Sequence, residues 1–410
     1  MEGVAALSGA HRGMSSETGQ HPQECPACAD RGGATFFAMR GVPVTCASIF
    51  PTRQEALAVP CGDVNLCVCR GCGFVFNRTF DSRLGAVGAR YESSQAASAH
   101  FSSFAQSLAR DWIKRYALSG RTVLDVGCGN ADFLKRLLDE GVGRAIGIDP
   151  CCEPAERTDR LQLIADLFDD RFLDLAADAV VCRHTLEHIQ DVAGFLRLLG
   201  NWASRGTGRV LLFELPASER IFAERAFWDV YYEHCNYFTR ATIRTAFELA
   251  GLRVLRVDLA YDDQYLLVEA VADPQVRRAQ GSEVAASAQL ECAAFGAAAS
   301  ASIERSRARL ARFAESGKRV VIWQGASKTV GFLSAIETFD AIDSAVDMNQ
   351  RRHGQFLPGS GLAVHSPDIL RELQPEHVVL MNPVYVQEVG AQLREMGVDC
   401  RLHTINELLE

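Results

Sequence analysis

The chain has 410 residues, 48% of them apolar and 23% charged, and a net charge of −9. That composition suits a globular protein with room for two or three cored domains, and the absence of any Lys/Arg block disfavours a nucleic-acid partner, which needs clustered cations. No run of about 18 apolar residues predicts a membrane helix.

The leader, residues 1–20, is Gly/Ser/His-rich without an apolar core and reads as disordered rather than as a signal peptide. With no export signal, the 14 cysteines read as reduced thiols of a cytoplasmic protein, some of them holding a metal. The next zone, 21–84, carries Cys25-x-x-Cys28 and Cys69-x-x-Cys72, two knuckles forty residues apart. Four thiolates so paired suit a closed, structural Zn2+ site, with Cys25, Cys28, Cys69 and Cys72 as ligands. Cys46, Cys61 and Cys67 lie between the knuckles as competitors, and a redox role is the alternative, although neither pair opens a helix after a strand.

Residues 85–273 alternate helices with apolar strands at Thr122–Val126, Ala145–Asp149, Leu161–Ala165, Ala179–Cys182 and Val210–Leu215. Leu252–Leu259 and Tyr265–Ala272 then read as a hairpin about the turn Tyr261-Asp262-Asp263. Such crossovers predict a doubly wound sheet with its ligand at the carboxyl ends of the strands. The first strand runs into Asp125-Val126-Gly127-Cys128-Gly129-Asn130-Ala131, an acidic strand end and a tight turn before a helix at about Asp132. This D-x-G-x-G loop resembles motif I of class I S-adenosylmethionine (SAM) methyltransferases. Gly127 and Gly129 keep side chains away from a ligand, while Asp125, Asp149 and Asp166 end successive strands. Three acidic ends suit a cationic sulfonium better than an anionic dinucleotide, so these five residues, with His184 after the fourth strand, are the candidate cofactor site.

Two polar clusters follow strand ends: Arg183-His184-Thr185-Leu186-Glu187-His188 and Tyr231-Tyr232-Glu233-His234-Cys235-Asn236-Tyr237-Phe238. Imidazoles beside a methyl donor suggest acid–base work, and a buried Glu-His pair without a purpose is costly. An Ala-rich helical segment, 274–316, then leads into a smaller α/β zone, 317–410, with strands at Arg319–Trp323, Ser344–Asp347, His377–Met381 and Arg401–Thr404. The fold class is therefore α/β: a Rossmann-like methyltransferase sheet, an N-terminal zinc-binding module and a second α/β domain.

The order of parts over about residues 22–405 resembles the SAM-dependent C-methyltransferases of antibiotic and cell-surface deoxysugar pathways. Tyr91-Glu92-Ser93-Ser94, the Tyr231–Thr239 signature, Gly325-Ala326-Ser327-Lys328, Val346-Asp347-Met348-Asn349 and Gly354–Gly359 carry that resemblance. It departs from the family at Cys128–Ala131 and at Thr329-Val330. The resemblance implies a nucleotide-linked keto-sugar as substrate, methylated on a carbon beside the ketone through an enolate. It further implies His234 as base, oriented by Glu233, with Tyr91, His188 and Tyr231 binding the sugar or holding the enolate. The residues alone leave O- or N-methylation of another small metabolite open, and say nothing of oligomeric state.

Overall fold

The computed structural model describes residues 24–84, 98–154, 158–276, 281–337 and 340–408. Tyr91, and the segment that resembles the family's tyrosine/serine stretch, lie outside them.

Among the described residues three sheets form. The first is antiparallel: β1 (Gly33–Pro43), β2 (Cys61–Cys69), β3 (Val75–Asn77) and, from far along the chain, β9 (Asn236–Tyr237). The second holds β4 (Thr122–Val126), β5 (Arg144–Ile148), β6 (Leu161–Ile164), β7 (Ala179–Arg183), β8 (Val210–Pro216), β10 (Leu252–Ala260) and β11 (Tyr265–Ala272) in the order β10-β11-β8-β7-β4-β5-β6. All its pairings are parallel except those of β11, the returning arm of the expected hairpin. Tyr261, Asp262 and Asp263 all sit at positive φ, which closes that hairpin. The order changes direction at β4, so the crevice opens beside the Gly127–Gly129 turn. This is the class I methyltransferase arrangement that the strand spacing predicts.

The third sheet repeats the plan with β12 (Val320–Trp323), β13 (Ile342–Val346), β14 (Gln355–Phe356), β15 (Ala363–His365), β16 (His377–Leu380) and β17 (Arg401–Thr404). Its order is β14-β15-β13-β12-β16-β17, parallel except for β14, with its own change of direction at β12. β12, β13, β16 and β17 stand within a residue or two of the predicted strands; β12 and β16 are buried, largely apolar runs, whereas β13 and β17 carry polar residues within them.

The zones are not separate beads. The long helix Gly281–Glu315 packs on β1 and β2, burying Cys292, Phe295 and Ala299. Gly296 is required there, since a Cβ would run into the Phe36 carbonyl. The excursion after β8 ties everything together. Phe227, Trp228 and Tyr232 are fully buried in a core shared by the N-terminal module, the long helix and the third sheet. Residues 236–237 then pair with β3, and the helix Ser327–Ile336 lies on Trp228 through Gly331.

Candidate active site

The loop after β4 has the geometry its sequence implies. Gly127 and Gly129 take positive φ, +82° and +52°, which glycine adopts without strain. A side chain at Gly127 would collide with Thr185. Asp149 holds the turn, its Oδ2 accepting from Gly129 N–H at 2.9 Å and its Oδ1 from Cys151 N–H at 2.7 Å. Asp125 is buried, and its Oδ1 has no hydrogen-bond partner among the described residues. Burial pushes its carboxyl up to about 7 against the pull of Arg183. An unsatisfied buried acceptor is expensive, and an ammonium or hydroxyl of a bound ligand would satisfy it. The residues therefore fit SAM.

A cavity of about 300 Å³ lies between the carboxyl ends of the second and third sheets. His184, Glu187, His188, Tyr231 and His234 reach it from the methyltransferase side, and Gln324, Lys328 and Asn382 from the other. His184 is at φ +49°, a left-handed turn that is strained for a non-glycine residue. Its Nε2 meets Glu214 at 2.8 Å and its Nδ1 faces Glu187 at 3.7 Å. Burial works against its charge, yet the two carboxylates raise it to about 9. Glu214 also takes a two-point contact from Arg183 at 2.8 and 3.0 Å, so β7 and β8 are locked at their cavity ends.

His188 and His234 meet edge to face, with centroids 4.8 Å apart, and Tyr231 also meets His234 edge to face, at 4.9 Å. The His188 Nδ1–H donates to the Glu233 carbonyl at 3.0 Å, which leaves Nε2 as an acceptor. Burial, reinforced by His188, lowers His234 to about 3, so its imidazole is neutral through neutral pH. Across the cavity, Asp229 collects Tyr231 Oη–H at 2.7 Å together with Lys328 and Arg220. Burial pulls Lys328 down to about 8 against the attraction of Asp229.

At the other end of the N-terminal module the four knuckle cysteines converge. Sγ of Cys25 lies 3.7 Å from that of Cys72, and Sγ of Cys28 3.6 Å from that of Cys69. Tetrahedral Zn–S bonds of about 2.3 Å put sulfurs roughly 3.8 Å apart, so the donor set fits zinc. The competitors are elsewhere: Cys46 lines the cavity, Cys61 is exposed and Cys67 is buried in β2.

Residues 101–257 match the family described as methyltransferase domain, and residues 268–400 match the C-methyltransferase C-terminal domain. The chain is a SAM-dependent methyltransferase. A curated relative, the tRNA U34 carboxymethyltransferase of Dichelobacter nodosus, is 33% identical over 95 residues, 21% of this chain. The match spans only 30% of that protein's length. Among solved structures, magnesium protoporphyrin IX methyltransferase from Synechocystis with bound SAH is 17% identical, covering 42% of this chain and 84% of its own, with a TM-score of 0.32. A SAM-dependent methyltransferase from Clostridium acetobutylicum is 11% identical, covering 42% and 92%, with a TM-score of 0.33.

In this methyltransferase several expected site residues do not stand where the sequence suggests. The Glu233 carboxylate does not orient His234; its Oε1 accepts from Cys46 N–H at 2.9 Å and from the Cys46 thiol. Tyr231 gives its hydroxyl proton to Asp229 and so is not a free donor. Asp166 lies two residues past β6, ion-paired at 2.9 Å with the exposed Arg171. The sequence offers Glu187 only as a member of the Arg183–His188 cluster, and does not single out Glu214, Asp229 or Arg220. Glu214 left one signal, a lone charge inside the apolar run Val210–Leu215, whereas Asp229 and Arg220 left none that distinguishes them from surface residues.

No helix among the described residues is long and apolar enough to cross a membrane.

Proposed function

We propose that this methyltransferase adds a methyl group to a carbon beside the ketone of a nucleotide-linked deoxysugar, through an enolate. One observation carries the reading: two imidazoles, His188 with its Nε2 as acceptor and His234 held neutral, face a buried cation, Lys328, across one cavity. Removing a proton from carbon needs an unprotonated base, and the resulting oxyanion needs a donor already in place. O-methylation needs the base but not the oxyanion donor.

Asp125, Gly127, Gly129, Asp149 and His184 would hold SAM, whose sulfonium supplies an electrophilic methyl group. His234 takes the α-proton, as the resemblance implies, with His188 alongside. Lys328 keeps donors beyond the one it gives Asp229 and stands ready for the enolate oxygen. Gln324, Asn349, Arg352 and Asn382, in the segments that follow β12, β13 and β16, would offer amide and cationic groups to the nucleotide end. The four knuckle cysteines would hold a structural zinc, which would have no part in the chemistry.

The test is incubation with nucleotide-linked 4-keto-deoxysugars and SAM. Carbon methylation, lost when the ketone is first reduced, is the expected result. Methylation of an oxygen or nitrogen, unaffected by that reduction, overturns it.

A further inference from the structure

With Glu233 turned away to Cys46, the two histidines need another source of negative charge, and the structure offers one. Glu187 is 2% exposed, and three imidazoles surround it. Its Oε2 is buried without a hydrogen-bond partner among the described residues. A carboxylate oxygen of Glu187 and a ring nitrogen each of His188 and His234 lie within 4.8 Å of one another. We propose that Glu187 is the positioning residue of the base: it stabilises the imidazolium formed when His188 or His234 takes the substrate proton.

In that step the α-C–H bond breaks, an N–H bond forms on the imidazole, and the electron pair passes to the enolate oxygen. The new cation appears in a buried site, where a carboxylate a few ångströms away counts for far more than it would in water. The neighbouring charges do not supply it. His184 is cationic and opposes it. Asp229 is engaged by Lys328, Arg220 and Tyr231. Glu233 faces the Cys46 thiol, and the Cys235 thiol is held on the Glu187 carbonyl. Glu187 shares its charge with His184 on one side only, and the histidine pair lies within reach of the rest.

This inference rests on the enolate reading, and the test separates the two. Wild type, Glu187→Gln and Glu187→Asp, each as full-length zinc-loaded protein with SAM affinity and melting temperature checked, are compared on dTDP-4-keto-6-deoxyglucose. We expect kcat and the α-C–H exchange rate in deuterated buffer to fall roughly 10- to 100-fold in Glu187→Gln, with both binding constants within about threefold of wild type. The acid limb of kcat should move to lower pH, because a base deprived of an anionic neighbour loses its proton more readily. Glu187→Asp should recover most of the rate. Unchanged kcat and an unmoved pH limb in Glu187→Gln, or a loss confined to KM, overturn the inference while leaving the enolate reading intact. Turnover that needs an added divalent ion which Glu187→Gln no longer binds also overturns it, making the trio a metal site. Absence of exchange and carbon methylation in wild type removes the enolate reading and this inference with it.

Discussion

The second and third sheets are built on one plan and carry opposite chemistry at their carboxyl ends. Each changes strand order beside its first strand, at β4 and at β12, and each follows that strand with a tight turn and a helix. On the β4 side the strand ends are acidic, Asp125 and Asp149, and the turn is opened by two glycines at positive φ. On the β12 side Gln324 takes φ +98°, held there by Thr329, whose hydroxyl donates to the Gln324 carbonyl at 2.5 Å. Lys328 follows, with Asn349, Arg352 and Asn382 from neighbouring strand ends. One fold plan thus carries acidic groups at the strand ends of one sheet and amide and cationic groups at those of the other. The residue types at the strand ends, not the topology, make the difference. The excursion Phe227–Tyr237 stands between the two sheets and carries His234.

That division predicts which variants should affect which ligand. His234→Ala belongs to neither face and should lose the most, roughly 10²- to 10⁴-fold in kcat, with SAM affinity kept. Isothermal titration and single-turnover methyl transfer check this, and near-wild-type turnover removes His234 as base. Lys328→Met, on the acceptor face, should cost about 100-fold in kcat/KM for the keto-sugar and leave the SAM Kd alone; a weakened SAM Kd would break the comparison. Asp149→Ala, on the donor face, removes the acceptor for two backbone N–H groups and should weaken SAM roughly 10- to 100-fold. Acceptor KM should not follow.

The smallest effect is on stability. Asp125 is raised to about 7 in the folded chain, mainly by burial, against about 3.9 when unfolded. The folded state therefore binds this proton more tightly, and the stabilisation present below about pH 4 is lost as pH rises through 7. Asp125→Asn should remove that slope and melt a few degrees above wild type at pH 8 without ligand, while binding SAM more weakly. Parallel melting curves with pH, or a lower melting temperature for the variant, would contradict it.

Much of this was legible in the chain. Most strands of the second and third sheets announce themselves as short runs rich in apolar residues, and motif I places its own turn, while β14 and β15, two and three residues long, give no such signal. Resemblance led to Lys328 and Asn349 without naming their partners. What escaped is non-local. Two residues, Asn236 and Tyr237, are too short a strand to recognise when the partner, β3, lies in another zone. Glu233 and His234 read as a pair because they are adjacent, but adjacent side chains project to different sides. Glu233 went to Cys46, and the carboxylate beside His234 came instead from Glu187, after β7.

The central claim is that carbon, not oxygen or nitrogen, receives the methyl group. The direct measurement is mass spectrometry of reactions with SAM and a panel of nucleotide-linked 4-keto-deoxysugars in deuterated water. The account predicts a sugar that gains one methyl group on carbon, with deuterium at neighbouring enolisable positions and exchange even when SAM is left out. A methyl group on oxygen or nitrogen, or no methylated sugar from protein shown to bind both SAM and zinc, would contradict it.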